Sequence, residues 1–169
     1  AASSMRYKLA ALKGADYLKN RQESDGAWCN KYDEKEGLNI DLDKSSSQAG
    51  SVIMAFYKLM KMGWEDSSHQ YYDSAKNAAN YLIACIDNKP GTQNGLAGAG
   101  KEYGAGFPNT DDLGAYRWSD WSWVSDNCYS YIALKCLADW ANINGDTTFA
   151  VQCNNYAEAI LSGINTVLK

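Results

Sequence analysis

Residues 118 to 126 read Trp-Ser-Asp-Trp-Ser-Trp-Val-Ser-Asp, placing three indoles and two carboxylates within nine positions. Large aromatic faces cover the apolar faces of sugar rings or polyprenyl chains, and carboxylates beside them move protons or stabilise a developing cation. Trp118, Trp121 and Trp123 are therefore a candidate ligand platform, and Asp112, Asp120 and Asp126 are the best-placed candidate catalytic carboxylates. Indoles next to a carboxyl lower the local dielectric and raise its pKa, which is the environment a general acid needs. The structural alternative is that one or two tryptophans plug the end of a helical bundle while Asp126 only caps a helix.

Glycoside hydrolysis requires two carboxyl groups across a sugar, about 5 to 5.5 Å apart for retention or about 6.5 to 9.5 Å for inversion, with one held protonated. Asp25 and Asp111 are further carboxylates of the same regions. The Asp111-Asp112 pair would repel and favour protonation of one member, unless it forms an Asx-turn after Pro108-Asn109-Thr110. A lyase would instead use a base such as Tyr116, Arg117 or Lys101, but the acidic loops argue against a polyuronate. Asp33, Glu34, Glu36, Asp41 and Asp43 fail the spacing of a calcium loop and read as a solvated acidic segment. Gly95 to Gly106 holds five glycines without the Lys-Ser/Thr of a phosphate cradle, and serves either as a flap over the aromatic site or as a spacer.

The rest of the composition narrows the partners. A chain of 169 residues suits one domain, 1–169, and can bury a core without disulfides or metal. Its net charge of −4 argues against nucleic acid and offers no polybasic membrane anchor, which leaves neutral molecules as the expected partners. No apolar run reaches the roughly 20 residues of a membrane span, and Ala1-Ala2-Ser3-Ser4 reads as a mature or trimmed end. Cys29, Cys85, Cys128, Cys136 and Cys153 form no CxxC pair and His69 is the only histidine, so neither a structural zinc nor any cofactor is expected. Cys128 and Cys136 sit about 12 Å apart along one helix, too far for a mutual bond, and buried free thiols are the expectation.

These residues need helices to position them. Five stretches carry apolar residues three and four apart: Met5 to Arg21, Ser46 to Met62, His69 to Asp87, Asp126 to Asn142 and Thr147 to Leu168, with no convincing strand. Ser45-x-x-Gln48 and Ser67-x-x-Gln70 match the capping box, Asp146 can cap the last helix, and Gly63 and Gly145 mark tight turns. The second and third helices, and the fourth and fifth, must then fold back as antiparallel hairpins. Ser51-Val52-Ile53-Met54-Ala55 aligns with Ser130-Tyr131-Ile132-Ala133-Leu134, and Asn77 to Leu82 aligns with Tyr156 to Leu161, a repeat of about 79 residues. The first helix matches the third through Ala15-Asp16-Tyr17-Leu18 and Ala79-Asn80-Tyr81-Leu82. Successive helices run antiparallel, so the long loops Gln22 to Ser45 and Asn88 to Ser125 fall at one end, with the N-termini of the second and fourth helices.

Ala15-Asp16-Tyr17-Leu18, Gln22 and Ser24-Asp25-Gly26-Ala27-Trp28 resemble the "Gln, x, x, Asp-Gly-x-Trp" element of helical-hairpin (α/α) toroids, found in polysaccharide lyases, glycoside hydrolases and terpenoid cyclases. Trp123 to Leu134 followed by Gly145-Asp146 and Phe149 is similar to the "Trp, Asp-Asn, Ala-Leu, Gly-Asp-x-x-Phe" rhythm of carbohydrate-active toroids. The resemblance implies an all-α arc of hairpins acting on an oligo- or polysaccharide in an extracellular or cell-surface setting. Trp28, Asn127 and, outside these motifs, Tyr116 join the three tryptophans as candidate substrate-binding residues. Five helices make only part of such a ring, so the arc implies self-association or a longer parent chain. Val151, Ile160, Leu161, Ile164, Val167 and Leu168 cannot then all be covered by the fourth helix.

The reading these features favour is a carbohydrate-active domain that hydrolyses a neutral glycan with paired carboxylates. Its alternatives are a non-catalytic glycan-binding or structural module, and a terpenoid-cyclase-like activity. The last needs an acid cluster in an aromatic cavity, and the chain has only three Phe.

Overall fold

Gly63 and Gly145 end two helices in the same way, and those ends set the topology of the chain. In the computed structural model, which describes residues 2–32, 39–64, 70–89, 94–103 and 116–167, Gly63 has φ 62° and Gly145 has φ 77°. The Gly63 N–H donates to Met60 O at 2.9 Å and the Trp64 N–H to Leu59 O at 3.0 Å. Gly145 N–H to Asn142 O at 3.1 Å and Asp146 N–H to Ala141 O at 2.8 Å repeat the pattern. Both are Schellman closures, which satisfy the last carbonyls and turn the chain back.

The described helices are α1 (Ala2–Arg21), α2 (Ser46–Lys61), α3 (Tyr72–Asp87), α4 (Val124–Ile143) and α5 (Thr147–Val167), an all-α fold. Ser45 caps α2, its Oγ accepting from Gln48 N at 3.5 Å. Asp146 Oδ1 accepts from Phe149 N at 3.4 Å at the start of α5. Ser67 and His69 lie outside the described residues, and α3 begins after Tyr71 with no side-chain cap bond. Trp123, not Asp126, occupies the N-cap of α4, which places Asp126 in its first turn. Among the described residues, no helix is long and apolar enough to cross a membrane.

Among the described residues, five short strands in the long loops correct the expectation of no convincing strand. β1 (Lys31–Tyr32) pairs with β2 (Asn39–Asp41), and β3 (Lys44–Ser45), β4 (Gly100–Tyr103) and β5 (Tyr116–Trp118) form an antiparallel sheet in that order. Pieces of two to four residues are too short to show an alternating pattern. The three-stranded sheet nevertheless ties the two long loops to each other at one end of the helices.

The core lies where α2 packs on α3 and α4, and α4 on α5. Phe56 stacks on Tyr71 at 5.0 Å between centroids, and fully buried Trp140 meets Tyr72 edge-on at 5.3 Å. Tyr57 donates to Asp139 Oδ2 at 2.6 Å, while the Ser47 hydroxyl bonds Asp126 at the other end, so α2 and α4 run parallel. Their buried positions align when Ser46 is set against Asn127, Ala49 against Ser130, Ile53 against Leu134 and Phe56 against Leu137. The repeat register expected from the sequence pairs buried Ile53 with exposed Ile132 and is corrected by this burial pattern. For α3 and α5 the buried series Ala75, Ala78, Leu82, Cys85 matches Ala150, Cys153, Ala157, Ile160. The two hairpins therefore share no single offset, because their connectors differ in length.

Along α5, Ile160 is fully buried, Leu161 and Ile164 are half-buried, and Val151 and Val167 are exposed. Leu168 lies outside the described residues. On α1, Met5, Tyr7 and Leu9 are exposed while Ala15 is buried. None of the five cysteines forms a disulfide; Cys29, Cys85 and Cys153 are buried, whereas Cys128 is exposed and Cys136 half-buried.

Candidate functional site

Asn127, fully buried in the first turn of α4, fixes the loop that forms one wall of the site. Its Oδ1 accepts from Ala97 N at 2.8 Å, and its Nδ2 donates to Ala97 O at 3.3 Å and Trp123 O at 2.9 Å. The loop continues with Gly98 N–H to Cys85 O and Ala99 N–H to Trp121 O, both at 2.9 Å. Ser46 N–H then donates to Ala99 O at 2.9 Å, which ties the loop to the start of α2. Gly100 has φ 138°, and a Cβ there would lie 1.9 Å from Lys44 O, so no other residue fits. The Tyr81 hydroxyl sits behind it, donating to Lys44 O at 2.8 Å and accepting from Lys101 N at 3.1 Å. The described part of the glycine-rich segment is thus bonded in place; Gly104 and Gly106 lie outside the described residues.

The result is a cavity of about 400 Å³ at the N-termini of α2 and α4. Trp121 and Trp123 line it and are 54% and 60% exposed. Asp43 and Asp126 also line it, as do Lys44 and Lys101. Large exposed indoles beside buried polar groups are what a ligand with both apolar faces and hydroxyls requires.

The ionisable groups separate into two environments. Asp126 is 8% exposed, and burial pushes its carboxyl above the ordinary aspartate value while the Ser47 hydrogen bond partly opposes the shift. Asp25 behaves oppositely. Burial raises it, but the Lys101 and Lys44 ammonium groups outweigh that and hold its carboxyl below the usual range. Lys101 Nζ is 2.8 Å from Asp25 Oδ2, and Lys44 Nζ is 3.1 Å from both carboxylate oxygens. Lys44 is only 6% exposed, with Nζ 4.5 Å from the Tyr116 ring centroid. Lys101 Nζ stands 4.7 Å from the Trp118 centroid. Buried Lys44 and half-buried Lys101 thus share one carboxylate, and each also faces an aromatic ring.

The residues singled out from the sequence divide accordingly. Of the carboxylates, Asp126 lines the cavity, Asp120 is exposed and outside its lining, and Asp112 lies outside the described residues. Of the tryptophans, Trp121 and Trp123 line it. Trp118 ends β5 half-buried, packed 5.9 Å from the Tyr81 ring, where it supports Lys101. Trp28 is 3% exposed, donates Nε1 to Leu18 O at 2.7 Å, and lines a neighbouring cavity instead. Tyr116 covers Lys44 and hydrogen-bonds Cys29, and burial raises its phenol. Asn127 spends both ends of its amide on the backbone, which makes it a structural clamp.

Sequence reasoning did not single out Asp43, Lys44 and Asn30 as lining residues. The available signal was the position of Asp43 and Lys44 immediately before the Ser45 cap, because residues entering a helix N-terminus share its surroundings. Asp41 has no described side chain, and among the described residues no three His, Cys, Asp or Glu groups gather to hold a metal ion. Asp126 and Asp43 thus line one cavity together with Trp121 and Trp123. The chain matches no family model, no curated protein and no solved structure.

Proposed function

We propose that the chain is a carbohydrate-active domain that hydrolyses a neutral glycan in the cavity between the N-termini of α2 and α4. The observation that carries this reading is Asp126, a buried carboxyl with a raised pKa that opens into a cavity rimmed by two exposed tryptophans. In this mechanism, the Trp121 and Trp123 indoles cover the apolar faces of the sugar. Asp126 gives its proton to the glycosidic oxygen as the C–O bond breaks, and Asp43 either takes a proton from the attacking water or attacks directly. The Asp25 carboxylate pairs with both Lys44 and Lys101, which reduces the positive charge that would select a uronate.

Release of reducing ends from soluble neutral oligosaccharides tests the reading. Turnover should be lost in Asp126→Asn and in Asp43→Asn, each with its helical content intact. Full activity in either variant would remove that carboxylate from the mechanism. A second reading, a glycan-binding module without catalysis, draws on the exposed tryptophan pair alone. It predicts retention on glycans that both carboxylate variants keep.

A further inference from the structure

A second cavity, of about 450 Å³, adjoins the first. Asn30 lines both, and the Ser45 and Ser47 hydroxyls, one lining each, are 2.6 Å apart. The Ser47 hydroxyl also bonds the Asp126 carboxyl, so Asp126 stands at the junction of the two spaces. Gly50 lets α4 lie close against α2, since a Cβ there would be 3.0 Å from Tyr129 O. The Tyr129 side chain, 43% exposed, lines the second cavity about 9 Å along the axis of α4 from Trp123, at 1.5 Å per residue. The start of α4 thus supplies exposed aromatic faces to both cavities, and the start of α2 supplies hydroxyls to both. Ser51 gives its proton to Ser47 O at 2.8 Å and keeps its acceptor lone pairs. The Asn30 carboxamide, where the cavities meet, has no hydrogen-bond partner among the described residues. Among the described residues that line the second cavity none is a carboxylate or a lysine, and burial holds the Cys29 thiol protonated. An anion would find no cation there, and a wholly apolar ligand would leave the hydroxyls and amides unpaired.

We infer that the second cavity is a further sugar site, so that one neutral oligosaccharide lies across both cavities with a glycosidic link at Asp126. A sugar ring has apolar faces and a rim of hydroxyls, which fits a wall built of the Tyr129 ring, the Ser47 and Ser51 hydroxyls and the Asn30 amide. This deepens the glycan reading above and rests on it. The bond that breaks is then the C–O link between two sugars. Asp126 protonates the linking oxygen, one sugar leaves with that oxygen as a hydroxyl, and water supplies a hydroxyl to the carbon of the other, its second proton going to a carboxylate. The substrate class this selects is a chain of neutral sugars held on both sides of the cut, in preference to a glycoside with a single sugar.

The test is a titration of the full chain with neutral glucan, xylan and mannan fragments, from the monosaccharide to the hexasaccharide, followed through the indole N–H resonances. The Asp43→Asn chain replaces the wild type where turnover consumes the ligand. Trp121 and Trp123 report the first cavity and Trp28 the second. In one series or more, affinity should rise about tenfold at the length where the Trp28 resonance begins to shift with the other two, the gain of one added aromatic contact. Tyr129→Ala, at an exposed position, should remove that gain and leave the affinity of the shorter ligands unchanged. Asn30→Ala should weaken short and long ligands alike; its backbone N–H, which donates to Asp43 O, is kept. Affinity independent of length with shifts confined to Trp121 and Trp123, or a gain with length that survives in Tyr129→Ala, would overturn the second site and leave the glycan reading standing. No shift with any series would overturn both. Binding across both cavities without release of shorter fragments by the wild type would uphold the sugar site and refute hydrolysis.

Discussion

The Ser47 hydroxyl bonds the Asp126 carboxylate, joining the first turn of α2 to the first turn of α4 at the cavity. The hydroxyl keeps this contact with either protonation state, since it donates to the carboxylate and accepts from the acid. Ser47→Ala removes the hydrogen bond that opposes the upward shift of Asp126. The Asp126 pKa should rise further in this variant, and the alkaline limb of the activity profile should move up with it. Side-chain carboxyl NMR of Asp126 in both proteins measures the shift directly, and an unmoved titration would separate the two residues.

Stability should change with pH in two opposite senses. The Asp25 carboxyl is held below its unfolded value, so its contribution is present above about pH 4 and is lost as pH falls through the folded value. The Asp126 carboxyl is raised, so its contribution is present below about pH 4 and is lost as pH rises through the folded value. Asp126→Asn should therefore flatten the decline on the rising side and leave the protein at least as stable as wild type at pH 7. Urea midpoints across the acid range check this; a loss of more than about 1 kcal/mol at pH 7 would assign Asp126 a structural role.

Removing the carboxylate that both lysines share should be costly. In Asp25→Asn, Lys44 remains buried without its counterion, and a loss of about 3 kcal/mol is expected. Lys101→Met, which takes away the more accessible lysine and leaves the Lys44 pair intact, should cost clearly less. Equal losses in denaturant melts would show that the two lysines do not rank as their burial indicates.

Trp121→Ala should separate binding from folding. More than half of the ring is exposed, so its loss should change stability by no more than about 0.5 kcal/mol while weakening oligosaccharide binding severalfold. Tryptophan fluorescence titration reads the binding, and thermal melting reads the fold. Trp118→Ala should do the reverse, because that ring packs on Tyr81 and supports Lys101.

The parts of this fold legible in the sequence are those set by local chemistry. The Ser45 cap, the Asp146 cap and the closures at Gly63 and Gly145 each depend on residues within a few positions, and each stands where its motif placed it. The same periodicity put both long loops and the N-termini of α2 and α4 at one end, where the cavity lies. Long-range partners were not legible. Nothing near Asn127 in the chain announces that its amide is spent on Ala97, and Trp118 differs from Trp121 through the Tyr81 ring and the Lys101 ammonium that face it. The strands escaped notice because their pairing across loops, not their own two to four residues, makes them strands. Residue identity alone sets Ile53 against Ile132, whereas burial, which only the packed helices reveal, aligns Ile53 with Leu134.

Hydrolysis in heavy-oxygen water tests the central claim most directly. Wild-type protein, given neutral glycosides, should place one heavy oxygen in the newly formed sugar hydroxyl and none in the released alcohol, with the product absent from Asp126→Asn and from Asp43→Asn. Equal product from Asp126→Asn would contradict the account, as would Trp121-dependent glycan binding with no incorporation of heavy oxygen.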